Sequence, residues 1–298
     1  MTGTMNGTWT PPAPQARQPA PTPPKSPEPP GPGLDRSDIE APLPGRPLWV
    51  LFGSLLVLAG LAWGAFTVID LLAHGQTVID DTVEAVGIET INVDNSAGYV
   101  EIVGTDTEQI QIHAEISRGL RRTGYGWETV GSTLEVHGTC PIIGSQWCWV
   151  KYRIEVPQGT NVVVDDDDSR VTVTNIDGTV DVNADNGRVV LSGITGSIVV
   201  DSDNGRVEAT GLSGPNADVS SNNGRVELTF AAVPDGVRVD SDNGSVDIAL
   251  PDVEEGYNIQ TDTDNGSTDT DGLVDNPDSP HTVTASSNNG SITIRPTG

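Results

Sequence analysis

A short pattern centred on glycine recurs along the chain from residue 94 onward and limits what it can fold into. The turns read DNSAG at Gly98, DNG at Gly187, Gly205, Gly244 and Gly266, and NNG at Gly224 and Gly290. A degenerate copy, DDDDSR, has Ser169 where the glycine falls. From Ser169 onward the intervals are 18, 18, 19, 20, 22 and 24 residues. Apolar residues keep register around each turn, as Val180, Val182, Val189 and Leu191 do in one copy and Ile198, Val200, Val207 and Ala209 in the next. Alternation with period 2 on both sides of a turn predicts two half-buried strands per copy. Spacing of this length predicts stacked units or a regular meander.

Two all-β architectures follow. In the expected one, parallel strands stack as a β-helix or β-solenoid, Val and Ile pile into a continuous core, and Asn186, Asn204, Asn223 and Asn243 form a ladder. Arg188, Arg206 and Arg225 then lie beside Asp185, Asp203 and Asn222. In the alternative, Asn-Gly makes type I′ hairpins and the chain closes as an antiparallel β-sandwich. Either way, the turn glycines Gly187, Gly205, Gly224, Gly244, Gly266 and Gly290 are expected to supply positive φ, with the preceding Asn tolerating the same region.

The rest of the chain reads differently. Of 22 prolines, 14 lie in the first 47 residues. Clusters such as Pro11-Pro12 and Pro29-Pro30 exclude helix, so residues 1–46 are expected to be a disordered tail, in part polyproline II. Residues 47–69 carry no charge. As a helix they span about 34 Å, against a hydrocarbon core of about 30 Å. They are expected to cross the lipid bilayer once, as an uncleaved anchor. Arg36 and Arg46 precede this stretch and no Lys or Arg follows until Arg118, so the tail is expected in the cytoplasm and the C-terminal region outside. Residues 70–87 read as a juxtamembrane linker and 88–298 as the β-repeat domain, irregular over 109–156.

Charge agrees with this division. The chain carries a net charge of −27, and all of the excess lies beyond residue 69. Such a surface repels phosphate and excludes nucleic acid as a partner. The two cysteines, Cys140 and Cys148, both lie in the outer part, where a disulfide is expected.

Candidate chemistry is sparse. The irregular portion gathers Tyr125, Trp127, Trp147, Trp149 and Tyr152 with Arg121 and Arg122. These aromatics read either as the cover of the domain's N-terminal end or as a surface for glycan, peptide or protein contact. Asp165, Asp166, Asp167 and Asp168 form a four-carboxylate run suited in ligand type to Ca2+. The plainer reading is a hydrated acidic surface, and no cofactor is expected. Nucleophile-elbow, phosphate-loop and dinucleotide motifs are absent from the sequence, and the four histidines fall in no catalytic pattern, so no enzymatic activity is expected.

The recurring V-x-V-x-x-x-NG-x-V-x-[LIV] units, ending in TASSNNGSITIRP, resemble the bacterial DUF4097 family of adhesin-like β-strand-repeat proteins. The likeness covers about residues 88–298. It implies a cell-envelope protein with a β-helix-like domain and brings no catalytic residues with it. The anchor and proline-rich tail look like those of proteins from high-GC Gram-positive bacteria. The expected function is a non-enzymatic binding or structural module at the bacterial cell membrane, with an envelope protein or glycan as partner. The alternative is an envelope sensor signalling through the proline-rich tail. Self-association is left open.

Overall fold

The computed structural model describes residues 46–96, 98–119, 121–141 and 147–297. The proline-rich tail, residues 1–45, lies outside them. The helix α1 spans Arg46–Ala73. Within it Trp49–Ile69 is long and apolar enough to cross a membrane, and none of that stretch is covered by protein. The helix continues past the expected boundary at residue 69, because Asp-Leu-Leu-Ala contains no breaker before Gly75.

Among the described residues the strands are β1 (Gly75–Glu84), β2 (Thr90–Asn95), β3 (Gly98–Thr105), β4 (Gln109–Arg118), β5 (Gly124–Val130), β6 (Thr133–Thr139) and β7 (Trp149–Pro157). Next come β8 (Asn161–Asp166), β9 (Arg170–Thr174), β10 (Val180–Ala184), β11 (Arg188–Ser192), β12 (Ile198–Ser202), β13 (Arg206–Leu212) and β14 (Asn216–Ser221). The last are β15 (Val226–Phe230), β16 (Gly236–Ser241), β17 (Val246–Leu250), β18 (Asn258–Asn265), β19 (Thr268–Asp269), β20 (Thr282–Asn289) and β21 (Ile292–Pro296). They form two mixed sheets. Sheet A runs β1-β4-β7-β3-β9-β11-β13-β15-β17-β21-β19, and sheet B runs β18-β20-β16-β14-β12-β10-β8-β2-β6-β5.

From β8 onward successive strands alternate between the sheets, and each pairs in parallel with the corresponding strand of a neighbouring repeat. The Asn-Gly turns therefore join strands of different sheets, and the hairpin alternative fails. Antiparallel pairing is confined to the N-terminal end, at β1–β4, β4–β7 and β5–β6. The inward Val, Ile and Leu of both sheets form one core, with Val182, Val189, Leu191 and Val219 fully buried. β-Branched residues dominate because they pack well on a pleated, half-buried surface.

The two corners of each unit work differently. At the Asn-Gly corner, Gly187, Gly205, Gly224, Gly244, Gly266 and Gly290 do not have positive φ, whereas Gly98 of the DNSAG turn does, at 136°. A Cβ on Gly205 would overlap the carbonyl oxygen of Gly187, and one on Gly224 that of Gly205, along the whole column. Glycine is required there by the close approach of stacked backbones, which corrects the turn-conformation reading. The preceding asparagines form the expected ladder and more. Asp168, Asn186, Asn204, Asn223, Asn243, Asn289 and Asn265 are joined side chain to side chain at 2.9–3.1 Å. The left-handed residues sit at the other corner, where Asn175, Gly193 and Gly211 have φ of 57°, 64° and 67°.

Units at both ends are out of chain order. The β6–β7 unit lies outside β2–β3, since β2 pairs with both β6 and β8. The last unit, β20–β21, is inserted between β16–β17 and β18–β19. Residues 75–84, within the stretch expected to be a linker, form β1 and pair along their full length with β4.

Candidate binding surface

The aromatic residues of the irregular portion separate into two groups. Tyr125 and Trp127 lie on β5, at the edge of sheet B, with Trp127 opposite Val136. Trp127 packs against the core and donates Nε1–H to Asp81 of β1 in sheet A at 2.7 Å. It thus covers the N-terminal end of the core and ties the two sheet edges together. Tyr125 is 41% exposed. Trp149 begins β7 of sheet A, and Trp147 lies in the turn just before it. Lys151 sits 4.3 Å over the Trp149 ring, and Trp147, 39% exposed, meets the His74 ring at 5.3 Å. Cys140 and Cys148 are bonded, with Cα atoms 5.8 Å apart. This holds the start of β7 near the end of β6, where the Tyr152 hydroxyl of sheet A donates to the His137 carbonyl of sheet B at 2.6 Å. Burial pushes the Tyr152 hydroxyl up to about 12.

The outer face of sheet A carries rows of charge. One row crosses β1, β4, β7 and β3 as Asp80, His113, Arg153 and Glu101. His113 Nδ1 lies 2.5 Å from Asp80 and Arg153 3.2 Å from Glu101. The hydrogen bond to the Asp80 carboxylate chiefly raises the His113 pKa above its ordinary value. The next row reads Glu115, Lys151, Tyr99, Arg170, Arg188 and Arg206. Depressions of about 610 and 620 Å³ flank these rows and share His113 and Arg153. The arginines do not pair with Asp185 and Asp203 as expected. Arg188 and Arg206 both reach Glu208, and Arg225 reaches Glu227. The reason is position: the aspartates precede the corner, whereas Glu208 and Glu227 share the outer face with the arginines. Alternation in QIQIHAEI and WVKYRIEV marks His113 and Arg153 as outward, but nothing local brings the two segments together.

The four-aspartate run does not converge. Strand alternation turns Asp166 inward to 2% exposure, while Asp165, Asp167 and Asp168 remain exposed. Asp166 accepts hydrogen bonds from Ser169 N at 2.9 Å and from the Ser169 hydroxyl. Buried Asn95 lies 3.5 Å away. Burial pushes the Asp166 carboxyl up, against these hydrogen bonds. Among the described residues no group of three His, Cys, Asp or Glu side chains is disposed to hold a metal ion.

Residues 153–295 match the family described as Toastrack DUF4097. This part of the chain is a DUF4097 domain. The DUF4097 match begins inside β7 and leaves β1 to β6, with the aromatic cover, outside it. No curated protein sequence matches the chain. Among solved structures, a "putative cell adhesion protein" from Clostridium sporogenes is 16% identical with a TM-score of 0.37; the alignment covers 75% of this chain and 100% of that one. A "putative adhesin" from Bacteroides fragilis is 15% identical at TM-score 0.38, covering 74% and 97%. A "putative lipid binding protein" from Parabacteroides distasonis is 9% identical at TM-score 0.29, covering 74% and 96%.

Proposed function

We propose that the chain is a single-pass membrane protein of the bacterial envelope whose β domain is a solenoid acting outside the membrane as a non-enzymatic, adhesin-like binding or structural module. Residues 47–69 form the anchor, and residues 1–46 lie in the cytoplasm. The observation that carries this reading is the presence in one chain of a helix with an uncharged apolar stretch and a DUF4097 domain. On the outer face of sheet A, arginines of several units reach nearby carboxylates, Arg188 and Arg206 at Glu208, Arg225 at Glu227 and Arg295 at Asp247. A surface of that kind suits an extended partner recognised at many weak points, as the residue types alone suggest. Tyr125, Trp147 and Trp149 are the proposed aromatic contacts with an envelope protein or glycan, and Trp127 is kept for covering the core.

Crosslinking in intact cells, followed by mass spectrometry, tests the proposal. Crosslinks from residues 109–156 or from the sheet faces to envelope components are expected. Crosslinks confined to residues 1–46 and cytoplasmic proteins would instead assign the chain to signalling.

A further inference from the structure

The segment Ile116–Trp127 contains Arg118, Arg121 and Arg122 and no acidic residue, in a chain of net charge −27. All three arginines are exposed, and none is ion-paired among the described residues. Arg118 and Arg122 line a groove of about 470 Å³ with Thr77, Ile116, Thr123 and Tyr125. The groove lies between β1 and β5, the N-terminal edge strands of the two sheets. Trp147 is bound to the same place, because its carbonyl accepts the Ser117 hydroxyl at 2.5 Å.

Chain connectivity places this cluster in depth. Arg118 pairs with Gly75, two residues beyond Ala73, where the helix ends. From Ile69, the last residue of the apolar stretch, the chain can reach at most about 13 Å to Gly75. The headgroup layer beyond the hydrocarbon is about 5–8 Å thick. If the helix spans the bilayer, extended arginine side chains in this row reach the headgroups. Exposed Trp and Tyr beside unpaired Arg match the chemistry of that layer. The rest of the domain, being strongly acidic, does not.

We propose that this groove, with Arg118, Arg121 and Arg122, docks anionic phospholipid headgroups and holds the base of the β domain on the membrane. The proposal rests on the anchored reading above, and it assigns Tyr125 and Trp147 to the lipid surface in place of an envelope protein or glycan.

The test uses the full chain in nanodiscs of phosphatidylcholine alone, or of phosphatidylcholine with phosphatidylglycerol. Amide exchange of residues 121–123 is expected to slow about thirtyfold or more in the anionic discs, as two or three cations near a charged surface imply at about 1 kcal/mol each. The slowing is expected to shrink with salt, to vanish in the double variant Arg121→Gln/Arg122→Gln, and to persist in Arg121→Lys/Arg122→Lys. Equal exchange in both discs, with the chain still embedded, overturns the docking but leaves the anchor intact. Slowing by inorganic phosphate in phosphatidylcholine discs points to a free anion and overturns the lipid assignment. Slowing that follows the number of chains per disc points to a second copy and overturns it too. Release of the chain from the discs by an alkaline wash overturns the anchor, and the docking with it.

Discussion

At Gly224 the nearest obstacle to a side chain is the backbone carbonyl of Gly205 in the adjacent unit, which cannot move without breaking the stack. Gly224→Ala is expected to destabilise the domain by more than about 3 kcal/mol in chemical denaturation, in the range of severe steric lesions. Gly159→Ala, with nothing within 4 Å of the added carbon, is expected to change stability by less than about 1 kcal/mol. Asp166 gives a second residue-scale expectation. Its carboxyl is pushed up by burial, so the native state holds more protons than the unfolded chain as pH rises from the unfolded pKa, and stability falls across that interval. Asp166→Asn is therefore expected to melt higher than the native chain at neutral pH, the gap closing as pH falls towards about 4. A variant less stable at every pH would show that the Ser169 hydrogen bonds outweigh the burial of charge.

Among the elements, β1 depends on the contacts along β4, one of which titrates. Asp80 raises the His113 pKa, with Glu115 adding to the effect. A raised folded-state value means the contribution is fully present below the ordinary histidine value near 6.5 and is lost as pH rises through the folded one. Both partners are well exposed, at 41% and 79%, so the effect is local fraying. Amide exchange in β1, corrected for intrinsic rate, is expected to accelerate between pH 6 and pH 8 (about two- to fivefold, as for an exposed ion pair). Asp80→Asn is expected to abolish that dependence. The element scale also shows where local reading stops. β4, β6 and β7 are visible in QIQIHAEI, STLEV and WVKYRIEV, but β5, GYGWETV, is not. Two glycines interrupt its pattern, and its partner β6 supplies the order it lacks.

For the whole domain, the order of units decides what can be removed. Deleting residues 188–205 takes out one interval of the repeat, joins Gly187 to Arg206 and leaves β9 facing β13 and β10 facing β14. The product is expected to fold cooperatively, with a lower Tm and a smaller denaturant m-value, as in other repeat arrays. Truncation after His281 removes no more residues but takes away β20 and β21, on which β18 and β19 stack. Exchange protection of residues 258–269 is expected to be lost entirely. If the internal deletion proves the more damaging, the units do not act as near-equivalent neighbours.

The residues of this chain specify the local structure almost completely. Val and Ile at every second position, glycine at near-constant intervals and asparagine before it define the strands, the Asn-Gly corner and the ladder, because those properties depend on near neighbours and repeat with the chain. They do not specify why the glycines are needed, which carboxylate each arginine meets, or where the end units go. Those depend on which backbone lies one strand spacing away, and that backbone can come from the next repeat or from 46 residues along, as between Asn243 and Asn289. The candidate surface shares this dependence. Arg118, Arg122 and Tyr125 stand close in sequence, but Thr77 and the base of β1 join them only through antiparallel pairing across the sheet edge. Short-range pattern thus carries the repeat, and long-range pairing assembles the ends, where the proposed binding residues lie.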